Sequence, residues 1–251
     1  MVRTAVRPEG FWLEEKDFPG MPVLHHHPLS TGSRLVRLIF AEYGETPNLL
    51  EEVPWQRREG LLELNPAGTL PVLIDDNEAV VSGPLVVAEY LLETRGARIG
   101  ETQALLSADP TVRAETRRLA GWFLDKLEAE VTGYLLREKF YKRRMRKEEG
   151  GGSPDAAAIR AARANVRYHV RYIGYLTAQH HGLAGRDVSI ADLAAAAAIS
   201  VIDYLGEVPW DEDAHARAWY ARIKSRPSFR PLLSDQVRGM PAAQHYADLD
   251  F

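Results

Sequence analysis

The chain has 251 residues, of which 45% are hydrophobic and 26% are charged, and its formal net charge is −4. This length allows one large domain or two modest ones, each with its own core. The slight negative charge argues against a dedicated nucleic-acid-binding protein, since such proteins usually carry a strongly basic surface. The lack of cysteine excludes disulfides, thiolate metal sites and cysteine nucleophiles, and no apolar run is long enough to span a membrane.

Strand and helix signals alternate through the first hundred residues. Residues 1–21 form a polar N-terminal extension without the apolar core of a secretory signal, so a cytoplasmic protein is expected. Beyond this extension, apolar periodicity and turn residues predict five elements. They are a strand at 23–27, a helix ending at Gly44, a strand at 70–74, a strand at 79–81 after a polar turn, and a helix from Pro84. This order is typical of an α/β domain.

Only helical signals follow residue 104. The predicted helices cover 111–134, 156–180, 194–205 and 214–223, and a glycine-rich break separates the first two. Ser189 and Asp192 have the spacing of a capping box, in which the acidic side chain accepts a hydrogen bond from the serine N–H. The alanine-rich helix behind them is expected to be central and tightly packed. The change from α/β to all-α near residue 100 therefore marks the domain boundary.

Several of these segments together resemble the glutathione-transferase superfamily. They are PLS at 28–30, NPAGTLPVL at 65–73, AEYL at 88–91, SIAD at 189–192 and RPSF at 226–229. The resemblance covers roughly residues 22–233. It implies the glutathione-transferase fold, with an α/β thioredoxin-like domain at 22–98 followed by an all-α helical domain at 104–236.

The same resemblance implies where glutathione would bind. In this superfamily a hydroxyl or thiol at the start of the first helix stabilises the glutathione thiolate. Ser30 takes that position here, with Thr31 and Ser33 as further candidates. A cis peptide bond is expected between Leu70 and Pro71, and it would turn the Leu70 backbone towards the cysteinyl part of glutathione. If the protein is an enzyme, Ser30 is its expected catalytic residue.

The chain departs from this pattern at Gly83-Pro84, where members that bind glutathione usually carry Glu-Ser. Pro84 has neither a hydroxyl nor an N–H to receive the γ-glutamyl carboxylate, and Gly83 has no side chain. Losing one charge-assisted hydrogen bond costs about 1.5–3 kcal/mol. The sequence thus predicts a degenerate glutathione site and favours a non-catalytic protein without a cofactor. The alternative is a glutathione-dependent transferase acting on small electrophiles, in which a neighbour such as Ser82 replaces the lost group.

Three consecutive histidines, His25, His26 and His27, raise the question of a metal site. Adjacent residues of a strand point to opposite faces, so three in a row cannot all bind one ion. No metal is therefore expected, and an expression tag is the other explanation for the three histidines.

Three other features are not required by the fold. The first is a run of seven cations between Arg137 and Lys147, which would attract an acidic partner or form a solvated helix end. The second is Trp55, which is either a partner anchor or folds back onto the core. The third is a C-terminal docking tail at 237–251, which could instead pack back onto its own domain. The expected partner-binding side chains of this tail are His245, Tyr246, Asp248, Leu249, Asp250 and Phe251.

The ending HYADLDF, on a transferase-like body without the Glu-Ser pair, resembles the FtsZ-binding, glutathione-transferase-like cell-division family. This resemblance implies a cytoplasmic homodimer at the division site that binds FtsZ filaments through the tail and Trp55. A regulatory subunit with another protein partner is the remaining possibility. Removal of residues 246–251 is expected to leave folding and dimerisation intact and to abolish binding to FtsZ polymers.

Overall fold

A computed structural model describes residues 5–6, 12–13, 20–96 and 104–249. Up to residue 96 the elements are β1 (Ala5–Val6), β2 (Trp12–Leu13), β3 (Val23–His26), α1 (Thr31–Glu42), β4 (Asn48–Glu51), α2 (Glu59–Leu64), β5 (Val72–Ile74), β6 (Val80–Ser82) and α3 (Pro84–Arg95). From residue 104 they are α4 (Pro110–Gly121), α5 (Gly133–Leu136), α6 (Ala156–Thr177), α7 (Ile190–Tyr204), α8 (Ala214–Lys224) and α9 (Arg230–Leu233). Strands occur only before residue 97 among these residues, as the sequence predicts.

A four-stranded mixed sheet organises the N-terminal part, in the order β4-β3-β5-β6. β3 is parallel to β4, which α1 connects, and antiparallel to β5. The predicted polar turn at 75–78 joins β5 to β6 as an antiparallel hairpin. β4 and α2 have no clear signal in the sequence, because β4 lies at the sheet edge with a mixed burial pattern and α2 is only six residues long.

α1 lies between the sheet and the helical part of the chain. Every residue from Thr31 to Phe40 is buried, including Arg34 and Arg37. On one side α1 packs against α3 and on the other against α7. The start of α1, where the sequence places its candidate site, is therefore enclosed by both parts of the molecule.

The helical part is built around α7. All fifteen residues of α7 are buried, and it packs against α1, α4 and α8. Its row of alanines, 194–198, lets these neighbours approach closely. The expectation of a central, tightly packed helix is confirmed, and so is the hydrogen bond from the Ser189 N–H to the Asp192 carboxylate, at 3.0 Å.

The helix after residue 110 is longer than predicted. It continues from α4 through α5 to residue 141, and three of its segments have π-helical hydrogen bonding: Trp122–Lys126, Glu128–Thr132 and Arg137–Tyr141. Such segments are rare and frequently occur at functional sites. Within the described ranges, the helices are all too short or too polar to cross a bilayer.

Candidate functional site

The start of α1 carries the three hydroxyls that the sequence singled out. Ser30 is the N-cap, and its Oγ accepts a hydrogen bond from the Ser33 N–H at 3.3 Å. The Oγ of Ser33 accepts from the His27 N–H at 3.4 Å. The Thr31 hydroxyl donates to the Glu128 carboxyl at 2.8 Å. Each of the three candidates therefore already has a partner within the protein.

Glu128 is a site residue that sequence reasoning missed. It lies in a π-helical segment of the 110–141 helix, 97 residues from Thr31 in sequence. Burial raises the pKa of its carboxyl, and burial together with Glu128 raises the pKa of the nearby Tyr141 hydroxyl. When ionised, Glu128 would repel a thiolate at the start of α1. Nothing local in the sequence marks this residue, because only helix packing brings it to the site.

The predicted cis peptide bond between Leu70 and Pro71 is present. The Gly83 N–H donates to the Pro71 carbonyl at 3.1 Å. A Cβ placed on Gly32 would lie 2.9 Å from carbons of both Pro71 and Pro84, so the two prolines pack directly on the first turn of α1. Pro84 is the first residue of α3, as predicted. Instead of a hydroxyl and an N–H, this position offers a proline ring packed against glycine.

An aromatic cluster lies beside this site and consists of His27, Trp55, Phe140 and Tyr141. The Trp55 ring centroid is 5.2 Å from that of Tyr141 and 6.3 Å from that of Phe140. His27 is 5.7 Å from Phe140. Trp55 is half-buried, so it packs against the protein's own core while part of its ring remains exposed.

Several side chains of the basic run have partners within the protein. Lys139 pairs with Glu207 at 2.5 Å, and Lys142 pairs with Glu138 at 2.6 Å. Arg144 stacks over Phe140 and donates to the Arg238 carbonyl at 2.7 Å. Three exposed cations form no ion pair with any described residue: Arg137, Arg143 and Lys147. Part of the run thus stabilises the fold, and these three side chains are exposed to solvent.

Tyr246 corrects the prediction for the C-terminal tail. Its side chain is 0% exposed, and its hydroxyl accepts from Arg34 at 2.9 Å and donates to the Leu232 carbonyl at 3.0 Å. The expectation that Tyr246 anchors a partner is wrong, because a core side chain cannot reach one. Removal of residues 246–251 would also remove this buried aromatic side chain, and such a loss costs about 3–5 kcal/mol, so the truncation is expected to destabilise the fold.

The other predicted tail residues are placed differently. The His245 ring is 2.9 Å from the Asp203 carboxylate and is partly exposed. Asp248 and Leu249 are exposed, so both can meet a partner. Asp250 and Phe251 lie outside the described residues.

Comparisons with known proteins extend these observations. The family model for the glutathione S-transferase N-terminal domain matches residues 30–94. FtsZ-localized protein A of Caulobacter vibrioides is 43% identical over 232 residues, which cover 91% of this chain and 97% of that protein. The chain belongs to the family of FtsZ-localized protein A. The predicted resemblance to the FtsZ-binding, glutathione-transferase-like family is thereby confirmed.

Solved structures of family members have the same fold. A protein from Sinorhizobium meliloti 1021, described as a glutathione S-transferase, is 52% identical with a TM-score of 0.89, covering 92% of this chain and 100% of that one. FzlA from C. crescentus is 42% identical with a TM-score of 0.84, with the same coverage. The predicted glutathione-transferase fold, α/β followed by all-α, is confirmed.

Proposed function

We propose that this protein is a non-catalytic adaptor that binds FtsZ filaments and regulates bacterial cell division at the division site in the cytoplasm. The observation that carries the proposal is the 43% identity to FtsZ-localized protein A along 97% of that relative. The start of α1 supports the non-catalytic part, because the Thr31 hydroxyl donates to the Glu128 carboxyl, and an ionised Glu128 would repel a thiolate there.

The proposed docking surface consists of Trp55, the exposed cations Arg137, Arg143 and Lys147, and the exposed C-terminal residues 247–249. Trp55 contacts Tyr141, which lies within the basic run. The same run reaches the C-terminal segment, since Arg144 donates to the Arg238 carbonyl. The basic run thus contacts both Trp55 and the start of the C-terminal tail, which supports the proposal that these features serve one partner.

Charge indicates the kind of FtsZ segment that would bind. These three exposed cations lie within eleven residues of one another in sequence, and the same run contacts the partly exposed Trp55 ring through Tyr141. Cations steer an acidic partner towards a surface, and an aromatic side chain provides an anchor within it. We therefore expect an acidic segment of FtsZ with apolar side chains to contact the docking surface.

We also propose that the protein is a homodimer. Four apolar or aromatic side chains on α3, α4 and α6 are exposed in the single chain: Val86 is 60% exposed, Val112 37%, Tyr168 55% and Tyr175 66%. Exposed apolar side chains favour an interface with another protein. In a two-fold dimer each subunit buries the same part of its surface. Two docking surfaces on one dimer would bridge neighbouring filaments through effective concentration.

Co-sedimentation with polymerised FtsZ tests the proposed function. We expect the wild-type protein to sediment with polymers, and Arg143→Glu to weaken binding about tenfold by reversing an exposed surface charge. Arg160→Glu is the matched control, because Arg160 is also exposed and belongs to α6, outside the docking surface. A wild-type protein that stays in the supernatant would refute the function. Equal losses in the two variants would refute the surface.

The second candidate function is a glutathione-dependent transferase, favoured by the 52% identity to the protein described as a glutathione S-transferase. Calorimetric titration with glutathione separates the two. The adaptor predicts no heat of binding at micromolar glutathione. Micromolar binding that disappears in Ser30→Ala would support the transferase instead.

A further inference from the structure

A buried arginine joins the start of α1 to the C-terminal segment. Arg34 is 0% exposed, and its Nε donates to the Pro28 carbonyl at 2.6 Å. Its Nη1 donates to the Ser200 hydroxyl at 2.7 Å and to the Tyr246 hydroxyl at 2.9 Å. Its Nη2 lies 3.7 Å from the Asp235 carboxylate. One guanidinium thus connects α1, α7 and the segment that follows α9.

A buried charge of this kind is costly and contributes little net stability. The free-energy cost of removing an arginine from water is offset only when several hydrogen-bond acceptors surround its guanidinium. Replacement of such a group by apolar residues is often neutral or stabilising. Buried polar groups do, however, favour one arrangement over others, because each alternative leaves a donor without a partner. Arg34 therefore fixes the position of the Tyr246 hydroxyl.

The C-terminal segment makes further contacts along the end of α7. The Ala243 N–H donates to the Tyr204 carbonyl at 2.9 Å, and the Tyr204 hydroxyl donates to the Met240 carbonyl at 2.8 Å. The His245 ring contacts the Asp203 carboxylate at 2.9 Å. These contacts hold the segment along its length up to Tyr246, whose ring is the last fully buried side chain among residues 237–249.

Beyond Tyr246 the described chain becomes exposed. Residues 247–249 are all exposed, and the Asp248 N–H donates to the His245 carbonyl at 3.0 Å in a tight turn. The direction in which Asp248 and Leu249 leave the protein is thus set by the two residues before them. Chain ends that lack such an anchor are usually frayed.

We propose that Arg34 and Tyr246 are positioning residues for FtsZ binding, which hold residues 247–249 in the conformation that docks. This inference rests on the proposed function. A docking segment that is ordered before binding loses less entropy on binding. For each side chain that is already ordered before binding, the affinity is higher by about two- to tenfold.

Two variants of the same hydrogen-bond network test the inference. Tyr246→Phe keeps the ring and removes the hydroxyl between Arg34 and Leu232. Ser200→Ala is the matched control, because it removes the other hydroxyl that accepts from Arg34 Nη1 and leaves every contact of the C-terminal segment in place. The measurements are the thermal midpoint, amide hydrogen exchange at Tyr246 and Asp248, and the Kd for FtsZ polymers.

We expect both variants to lower the thermal midpoint. Only Tyr246→Phe should accelerate exchange at these two amides, by about tenfold or more, and only it should weaken FtsZ binding, by about three- to tenfold. Equal exchange in the two variants would overturn the inference. Faster exchange with unchanged affinity would overturn it as well. Binding of the wild-type protein to FtsZ polymers tests the proposed function separately. If the wild-type protein does not bind, the proposed function fails before any variant is compared.

Discussion

The three consecutive histidines are buried and serve the fold. His25 Nδ1 donates to the Glu52 carboxylate at 2.9 Å, and His27 Nδ1 accepts from the Leu29 N–H at 3.2 Å, so His27 must be neutral. Burial, with Arg34 and Arg144 nearby, lowers the pKa of His27 to about 4. Burial and the charge of Arg37 also lower the pKa of His26. The unfolded chain takes up protons on both residues at a pH where the folded protein does not.

Acid should therefore destabilise the protein. An unfolded histidine titrates near pH 6.5, so stability is complete above that pH and falls as the pH approaches 4. For His27 the loss between pH 7.5 and 5 is about 2 kcal/mol. We expect His27→Asn, whose amide oxygen can replace Nδ1 as acceptor, to reduce this pH dependence in urea unfolding experiments. His215→Asn, at an exposed position, should not change it, and identical pH profiles for all three proteins would contradict the assignment.

The capping box of α7 extends beyond the local motif that the sequence reveals. The Asp192 carboxylate accepts from the Ser189 N–H and hydroxyl, from the Leu183 N–H and from the Trp219 indole, all within 3.0 Å. It thus caps α7, fixes the loop before it and binds α8. The first contact follows from spacing alone, whereas the contacts to Leu183 and Trp219 depend on the tertiary fold.

Loss of this carboxylate should cost more than loss of an ordinary cap. We expect Asp192→Ala to lower the free energy of unfolding by about 3–4 kcal/mol, because several buried donors lose their acceptor. Asp109→Ala removes the exposed N-cap of α4 and should cost about 1 kcal/mol. Urea denaturation measures both. Equal losses would mean that Asp192 acts only as a helix cap.

Local chemistry explains which parts of the molecule the sequence predicts. The starts of α3 and α7 follow from Pro84 and from the Ser189 cap, and the altered Gly83-Pro84 pair is visible without a structure. Glu128 cannot be identified from the sequence, because its place beside Thr31 depends on how the 110–141 helix packs. Tyr246 was assigned wrongly, since an apolar residue near a chain end has the same pattern whether it binds a partner or its own core.

The two parts of the molecule share one hydrophobic core. That core includes side chains of β3, β5 and α1 together with those of α4, α7 and α8. Ion pairs add to it: Arg37 of α1 pairs with Asp235 at 2.8 Å, and Arg226 pairs with Glu42 at 2.6 Å. With this much shared burial, neither part should unfold while the other stays folded.

We expect a single cooperative unfolding transition. Amides of β5 and α7 should exchange with the same opening free energy, and Glu42→Gln should lower both values equally, because Glu42 accepts from Arg226 and Ser228 across the two parts. Glu115→Gln, which affects only an exposed pair within α4, should change both by less than about 0.5 kcal/mol. Separate opening energies for the two elements would show that the parts are independent.

The small alanine side chains of α7 determine the distance between the sheet and the outer helices. Residues 194–198 are completely buried, so one additional methyl group at any of them must push a neighbouring helix outwards. Such a shift would lengthen or break the hydrogen bond between Thr31 and Glu128 and move the parts of the docking surface relative to one another. Divergence in this family should therefore enlarge α7 only where α1 or α4 loses volume opposite it, while the exposed faces of α6 can change one residue at a time.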